Sequence, residues 1–213
     1  MQTMDEIWLQ LDKKEKVGAG DVEYLGIAHG WAGFLYATLT WCQVANVAVP
    51  GNVERRLDEL ATLALPAGRG LEWAWSLSQP GDPPTMSGWC NGSCGYVFLW
   101  TLAHRLLGHT RYLDAAAGAA WNSWECRNTA TTLCCGLAGR GYALLNFYRQ
   151  TGERRWLERA HSLCARAARE SANYPEHPHS LYKGELGIVI LAADLEEPEW
   201  GRMPFFEPAG YRV

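Results

Sequence analysis

The hydrophobic positions of this chain repeat four times, and in each repeat a Gly-x-x-Gly turn runs directly into a helical stretch with few polar residues. The four turns lie at residues 30–33, 92–95, 136–139 and 184–187. The apolar stretches that follow them lie at residues 34–41, 96–107, 140–148 and 188–195. Helices that are apolar on all sides are buried. A repeat at intervals of about 45 to 60 residues indicates an architecture of stacked units. The sequence therefore predicts four buried inner helices.

A second set of helical stretches alternates with the first and has mixed faces, with Arg, Glu and Asp recurring among Leu, Ala and Trp. These stretches lie at residues 53–65, 112–125 and 155–171. Such amphipathic helices pack on one side and face water on the other. Apolar helices ringed by amphipathic ones, with no convincing strand pattern, predict an all-α fold, namely an α/α toroid or part of one. Because the pattern resumes after the Pro- and Gly-containing loops at 78–87 and 173–180, a single domain over residues 1–213 is expected.

Charge and composition narrow the classes of partner. The 213-residue chain has a formal net charge of −4 and no run of Lys and Arg interleaved with aromatic residues, so nucleic acid is not an expected partner. No stretch approaches the roughly 20 uninterrupted apolar residues that span a bilayer. Residues 1–23 resemble neither a signal peptide nor an anchor. We therefore expect no membrane span and a cytoplasmic protein.

The seven cysteines favour thiol or metal chemistry over a disulfide framework, because their number is odd and no secretory signal precedes them. Cys90 stands just ahead of the second glycine turn, and Cys134 and Cys135 stand just ahead of the third. Equivalent turns converge at one end of a ring of helices. These three thiols could therefore meet around a soft divalent ion, for which zinc is well suited.

The residues alone leave other interpretations of these thiols open. Free cysteine is often simply part of a buried core. Cys134 and Cys135 could form a vicinal disulfide, although such a ring is strained and needs an oxidising setting. Cys94 could add a fourth thiolate and turn an open catalytic site into a closed structural one, although its place at a helix start favours packing. Cys42, Cys126 and Cys164 lie in helical stretches and are expected to be core residues.

Several charged or titratable residues also lie near the glycine turns. His29 stands ahead of the first turn, as cysteines stand ahead of the next two, so it should face the same cavity. There it could donate or accept a proton near neutral pH, although a core histidine is the alternative. Arg140, Lys183 and Glu185 could line the rim of this cavity, although we favour their interpretation as capping or surface charges. No role is assigned to the histidines at positions 104, 109, 161, 177 and 179.

The order of four motifs resembles that of the lanthionine synthetase C-like family. The motifs are GIAHGWAG at 26–33, WCNG at 89–92, CCGLAG at 134–139 and SLYKG at 180–184. The resemblance covers residues from about 24 to the MPFF tail at 203–206, and this tail is similar to that of versions fused behind protein-kinase domains. It implies an α/α toroid of seven helix pairs. Only about four repeats are present here, so the N-terminal part of the toroid is expected to be absent.

The resemblance also implies a site and a reaction. It implies zinc held by Cys90, Cys134 and Cys135, with His29 as the catalytic acid or base. The implied activity is that of a lanthipeptide cyclase, which adds peptide Cys thiols to dehydroalanine or dehydrobutyrine to form thioether rings. The alternatives are a non-catalytic, zinc-stabilised peptide-binding module and a transferase that adds glutathione to dehydrated residues.

The expected partners follow from the same resemblance. They are a dehydrated precursor peptide and a kinase or lyase dehydratase that prepares it. An open arc of four repeats would leave apolar flanks without neighbours, because each unit of such an array covers the next one. We therefore also expect a second copy of the chain, a partner protein or a missing N-terminal segment to complete the ring.

Overall fold

The computed structural model describes residues 2–78, 85–171 and 179–208. The loops predicted at 78–87 and 173–180 lie mostly outside the described residues. Within these ranges the chain forms helices and one short hairpin, in the order α1 (Gln2–Leu11), α2 (Trp31–Ala45), α3 (Gly51–Thr62), β1 (Leu65–Ala67), β2 (Gly70–Glu72), α4 (Ser93–Leu107), α5 (Thr110–Glu125), α6 (Leu137–Thr151), α7 (Arg154–Glu170) and α8 (Leu186–Glu196).

The helices form two layers. Helices α2, α4, α6 and α8 contact one another in chain order and form the inner layer. Helices α3, α5 and α7 form the outer layer, and each packs against the inner helix that precedes it. Helices α5 and α7 also pack against the inner helix that follows. The arrangement is the alternation of inner and outer helices that the sequence pattern predicts.

Burial differs between the middle and the end of the inner layer. Every residue of α4 from position 93 to 103 is buried, as is every residue of α6 from 137 to 145. In α8 only Gly187, Ile188, Leu191 and Leu195 are buried. The middle helices thus have neighbours on all sides, whereas α8 has a neighbour on one side. No helix among the described residues is long and apolar enough to cross a bilayer.

Tryptophan rings fill the space between the layers. The fully buried ones are Trp31, Trp73, Trp100 and Trp156. Trp73 stacks on Tyr96 of α4 with ring centroids 4.3 Å apart, and its indole N–H donates to the carbonyl of Leu60 in α3 over 3.0 Å. A buried indole needs such a partner for its N–H group. The stack therefore joins the first outer helix to the second inner helix.

Helix α1 and the hairpin are elements that the sequence pattern did not predict. The indole N–H of Trp8 in α1 donates to the hydroxyl of Thr38 in α2 over 2.9 Å. Arg56 of α3, which is 1% exposed, donates to the carbonyl of Lys14 just after α1. Helix α1 therefore covers one flank of α2, a flank that we expected to be bare. The strands have three residues each, so they are too short to show an alternating pattern.

The described part of the tail beyond α8, up to residue 208, packs against the inner layer. Met203 is fully buried. The ring of Phe206 lies 4.5 Å from that of Tyr36 in α2 and 5.2 Å from that of Phe98 in α4. The carboxylate of Glu207 pairs with Arg149 of α6. The tail therefore contacts three of the inner helices.

Candidate metal centre

Four loops, one ahead of each inner helix, lie side by side in register. The amide of Ala28 donates to the carbonyl of Cys90 over 2.9 Å, and that of Cys90 donates to Cys134 over 3.3 Å. The amide of Cys134 donates in turn to the carbonyl of Tyr182 over 2.9 Å. Each of these residues stands two positions before the first glycine of its motif. We call the four loops, residues 26–30, 88–92, 132–136 and 180–184, the loop row.

The first glycine of a motif lets its loop fold back against the chain that precedes it. A Cβ atom at Gly92 would lie 2.0 Å from the carbonyl oxygen of Met86, and one at Gly136 would lie 2.2 Å from that of Ala130. Such distances are shorter than any real Cβ contact, and backbone atoms cannot easily move away. Glycine is therefore required at these positions if the loop row is to form.

Three thiols meet in the second and third loops of the row. The Sγ atom of Cys135 lies 3.6 Å from that of Cys90 and 3.4 Å from that of Cys134, and all three sulfurs lie within 4.8 Å of one another. Sulfurs bound to one tetrahedral zinc at about 2.3 Å are separated by roughly 3.8 Å. Within the described part of the chain, this is the cluster of Cys, His, Asp and Glu side chains with the geometry to hold a metal ion.

The cluster is partly exposed, and the pKa values of its thiols differ. Cys90 is buried, whereas Cys134 and Cys135 are half-buried. Contacts with the thiols of Cys134 and Cys90 hold the pKa of Cys135 well below its usual range, and the positive charges of Lys183 and His29 act in the same direction. Contact with Cys135 raises the pKa of Cys134. The three thiols thus titrate as one coupled group.

Cys94 and the helical cysteines do not belong to the cluster. Cys94 is fully buried, and its thiol donates to the carbonyl of Ser87 over 2.9 Å. Burial also raises the pKa of the Cys94 thiol. Cys42 and Cys164 are buried in helices, as expected, whereas Cys126 follows the last residue of α5 and is half-buried, so its expected place in the core is wrong. Cys134 and Cys135 are free thiols and not a vicinal disulfide. Three ligands rather than four therefore line the centre, which leaves one tetrahedral position open.

His29 lies in the first loop of the row, on the side of the thiol cluster. Its side chain is exposed, and the backbone amide of the preceding residue, Ala28, donates to the carbonyl of Cys90 over 2.9 Å. His29 stands one position before its glycine, so its counterparts in the row are Asn91, Cys135 and Lys183, whereas Cys90 stands one position earlier. The sequence argument predicts His29 near the thiols, and the structure places its loop beside the loop that carries Cys90.

Arg140 binds the C-terminal end of α5 and the loop that leads from α5 toward Cys135. Its side chain is fully buried in α6. Its guanidinium group donates to backbone carbonyls at the end of α5 and in the loop that follows, namely those of Ser123, Trp124, Cys126 and Asn128. Such a cation satisfies the unpaired carbonyls of a helix C-terminus. This geometry agrees with the interpretation of Arg140 as a capping charge.

Sequence reasoning missed one residue that contacts the centre and left the role of a second one open. The side-chain amide of Asn128 donates to the backbone carbonyl of Cys135 over 3.0 Å. Asn128 lies outside the loop row, and this bond fixes the position of the third loop. Lys183 was favoured as a surface charge over a place at the rim, and it is an exposed residue of the fourth loop of the row. The signal for Lys183 was available in the sequence, because it precedes its glycine by one position as His29 does. Glu185 instead lies 3.6 Å from His179.

The other histidines lie away from the thiols. His104 of α4 contacts the carbonyl of His109 over 3.1 Å, and His109 pairs with Glu54 of α3 over 3.0 Å. His161 is exposed on α7, and His177 lies outside the described residues. His29 is thus the histidine that the described structure brings near the cluster.

Residues 5–207 match the sequence model of the family described as lanthionine synthetase C-like protein, and the chain belongs to this family. It is 29% identical over 191 residues to "Glutathione S-transferase LANCL1" of Danio rerio, covering 87% of this chain and 46% of that protein. It is 27% identical over 219 residues to "LanC-like protein GCL1" of Arabidopsis thaliana, covering 90% and 48%. The chain thus spans about half the length of these relatives.

Among solved structures, nisin cyclase has a similar fold. The TM-score is 0.68 at 15% sequence identity, and the match covers 82% of this chain and 46% of nisin cyclase. At this identity the similarity concerns the fold alone. Together with the two helical layers, it confirms the predicted fold class, an incomplete α/α toroid. 

Proposed function

We propose that this chain is the zinc-binding part of a lanthipeptide cyclase, which adds peptide Cys thiols to dehydroalanine or dehydrobutyrine and forms thioether rings. The observation that carries the proposal is the cluster of Cys90, Cys134 and Cys135, with all three sulfurs within 4.8 Å of one another. Family membership supports it. The position of His29 in the neighbouring loop of the row adds a group that can transfer protons.

The donor set fits zinc. Thiolates are soft ligands that suit this ion, and Cys90, Cys134 and Cys135 would hold it while leaving one tetrahedral position for a substrate thiol. When bound, zinc supplies a Lewis acid that lowers the pKa of that thiol. The half-burial of Cys134 and Cys135 gives a substrate access to this side of the cluster.

The addition also needs proton transfer. The substrate thiol loses its proton, and the sulfur bonds to the β-carbon of the dehydrated residue. The electron pair of the carbon–carbon double bond then moves toward the carbonyl oxygen, which gives an enolate. His29 in its protonated form would deliver a proton to the α-carbon and recover one from the next substrate thiol. The product is a thioether, and no atom is lost.

A second candidate function is the addition of glutathione to dehydrated residues. The observation in its favour is that the relative from Danio rerio is named a glutathione S-transferase. The bond that forms is the same in both reactions, and the difference is whether the thiol belongs to the acceptor peptide. A zinc-stabilised module that binds peptides without reaction is the non-catalytic alternative.

The wider setting belongs to the same proposal. It includes a dehydrated precursor peptide as substrate, a kinase or lyase dehydratase as partner and a cytoplasmic location. The single domain over residues 1–213 and the fusion behind a protein kinase also stay predictions. Because the chain spans about half the length of its relatives, the activity of the complete proteins is proposed for it and not established.

A single assay separates the candidates. The purified chain, supplied with zinc, is incubated with a peptide that contains one dehydroalanine and one Cys, with and without glutathione. Free thiols are then capped with N-ethylmaleimide, and products are identified by mass spectrometry against a protein-free control. In the reaction without glutathione, less N-ethylmaleimide-capped peptide than in the protein-free control supports the cyclase. Glutathione adducts support the transferase, and peptide binding with neither product supports the binding module.

A further inference from the structure

Lys183 is set apart in the sequence. The chain has four lysines, and the other three lie together at positions 13, 14 and 16. Lys183 instead lies in the fourth loop of the row, one position before the first glycine of its motif. Basic residues elsewhere in the chain are mostly arginines. A lysine at this position therefore invites a comparison with the residues that occupy the same position in the other loops.

The register of the loop row brings Lys183 beside the thiols. The carbonyl of Tyr182 accepts the amide of Cys134 over 2.9 Å, so the fourth loop lies against the loop that carries Cys134 and Cys135. Lys183 is the next residue after Tyr182, as Cys135 is the next residue after Cys134. The loop row therefore places Lys183 beside the loop that carries two of the three thiols.

The ammonium group of Lys183 is free to act on a ligand. The residue is exposed, and its backbone amide bonds to the hydroxyl of Ser180 over 3.1 Å. Within the described ranges no carboxylate forms an ion pair with Lys183, and the nearby Glu185 pairs with His179 instead. The charge of Lys183 is therefore available to a ligand that binds at the loop row.

Lys183 and His29 thus lie in the loops on either side of the thiols. His29 lies in the first loop, the thiols lie in the second and third, and Lys183 lies in the fourth. Addition of a thiol to a dehydrated residue needs a proton at the α-carbon and stabilisation of the charge that develops on the carbonyl oxygen. His29 can meet the first need. The second requires a donor or cation on another side of the substrate.

We propose that Lys183 is a catalytic residue whose ammonium group binds the enolate oxygen formed when a thiol adds to the dehydrated residue. The C–S bond forms at the β-carbon, the double-bond electron pair moves onto the carbonyl oxygen, and Lys183 holds that oxygen until the α-carbon is protonated. The lysine keeps its own proton throughout. The proposal rests on the proposed function, and it applies equally to a peptide thiol and to glutathione, because both give the same enolate.

The first experiment separates this role from charge compensation at the metal. Lys183→Gln and Lys183→Arg are compared with the parent and with Lys16→Gln. The last variant removes an exposed lysine in the segment that follows α1. We expect Lys183→Gln to lower kcat about 100-fold, the effect of removing one oxyanion donor, with zinc content unchanged. Lys183→Arg should recover much of the loss. A parental kcat in Lys183→Gln, or a loss of zinc from that variant, would overturn the proposal.

The second experiment needs neither zinc nor turnover. In the metal-free protein, the alkylation rate of Cys135 is measured by peptide mass spectrometry with anionic iodoacetate and neutral iodoacetamide. Removal of a nearby positive charge should lower the iodoacetate-to-iodoacetamide ratio about 3-fold in Lys183→Gln and leave it unchanged in Lys16→Gln. An unchanged ratio in both variants would overturn the placement of Lys183. If the parent catalyses no addition but the ratio falls, the proposed function has failed while the placement of the charge stands.

Discussion

The backbone amide of Cys90 donates a hydrogen bond to the carbonyl oxygen of Cys134 over 3.3 Å, which ties the loop of the second repeat to that of the third. The thiols therefore come together through main-chain contacts between loops. The glycines allow these contacts, because any side chain at Gly92 or Gly136 would collide with a carbonyl. The ligand cluster is thus a consequence of the repeat itself, and we expect it to persist when metal is removed.

The first prediction concerns zinc. The protein should bind about one zinc per chain, and serine at position 90, 134 or 135 should lower zinc affinity at least about 100-fold, because a thiolate ligand is lost. Cys126→Ser, which changes a half-buried thiol outside the cluster, is the control. Elemental analysis and competition with a chelator give the stoichiometry and the affinity.

Two further outcomes bear on the zinc prediction. Affinity should fall as the pH is lowered, because protons compete with the metal for the thiolates. Circular dichroism should show the same helix content with and without zinc if main-chain contacts fix the cluster. Equal zinc content in Cys135→Ser and Cys126→Ser would contradict the assignment of the ligands.

The second prediction concerns His29. His29→Asn should leave zinc content unchanged and lower the rate of thioether formation about 100-fold or more, because proton transfer by a side chain contributes that much to such reactions. The side chain is exposed, so the substitution should have little effect on stability. His161→Asn, on the outer helix α7, is the control. Thioether formation by His29→Asn at the parental rate would show that another group moves the proton.

The third prediction concerns the glycines of the loop row. Gly92→Ala should lower the free energy of unfolding by about 3 kcal/mol, because the new Cβ would lie 2.0 Å from the carbonyl oxygen of Met86. Gly51→Ala, at the start of α3, would meet no atom within 4 Å and should raise the free energy of unfolding by about 0.5 kcal/mol. Urea denaturation measures both. If the free energy of unfolding changed no more in Gly92→Ala than in Gly51→Ala, the loop row would tolerate a side chain at position 92.

The sequence predicts the inner layer well, because each inner helix is both apolar and preceded by a glycine turn. It places the start of each helix too late, however. Helix α2 begins at Trp31 and includes Gly33, whereas the prediction began the helix after the second glycine. The second glycine of a motif lies in the first turn of its helix, where it also contacts a carbonyl: a Cβ at Gly139 would lie 2.1 Å from Leu133.

The candidate site also contains residues that the sequence predicts and residues that it does not predict. Cys90, Cys134 and Cys135 could be found because they share a place in a repeat, and the repeat becomes a row of loops in space. Asn128 could not be found, since its bond to Cys135 joins a loop outside the motif to one inside it. Helix α1 was also missed, because no glycine turn precedes it and its contact through Trp8 and Thr38 depends on tertiary packing.

The last prediction concerns the free face of α8. Leu186, Val189 and Ile190 are exposed there, at positions that share one face of a helix, and Val189 is 62% exposed. In the middle of the inner layer the corresponding helices have neighbours on both sides. Because an exposed apolar stripe favours association, we expect the isolated chain of residues 1–213 to form dimers with a second copy of itself at this face.

Light scattering after size-exclusion chromatography measures the association. Val189→Lys should shift the chain toward monomer, because a charged side chain in an apolar contact must be desolvated without a partner. Val47→Lys is the matched control, since Val47 is an exposed valine in the loop after α2, away from α8. A parent chain that is already a stable monomer would show that the stripe on α8 needs no cover, and an equal effect of both substitutions would place the contact elsewhere. Thioether formation by that monomer would further show that four repeats suffice for the reaction, because the thiols and His29 all lie within the loop row.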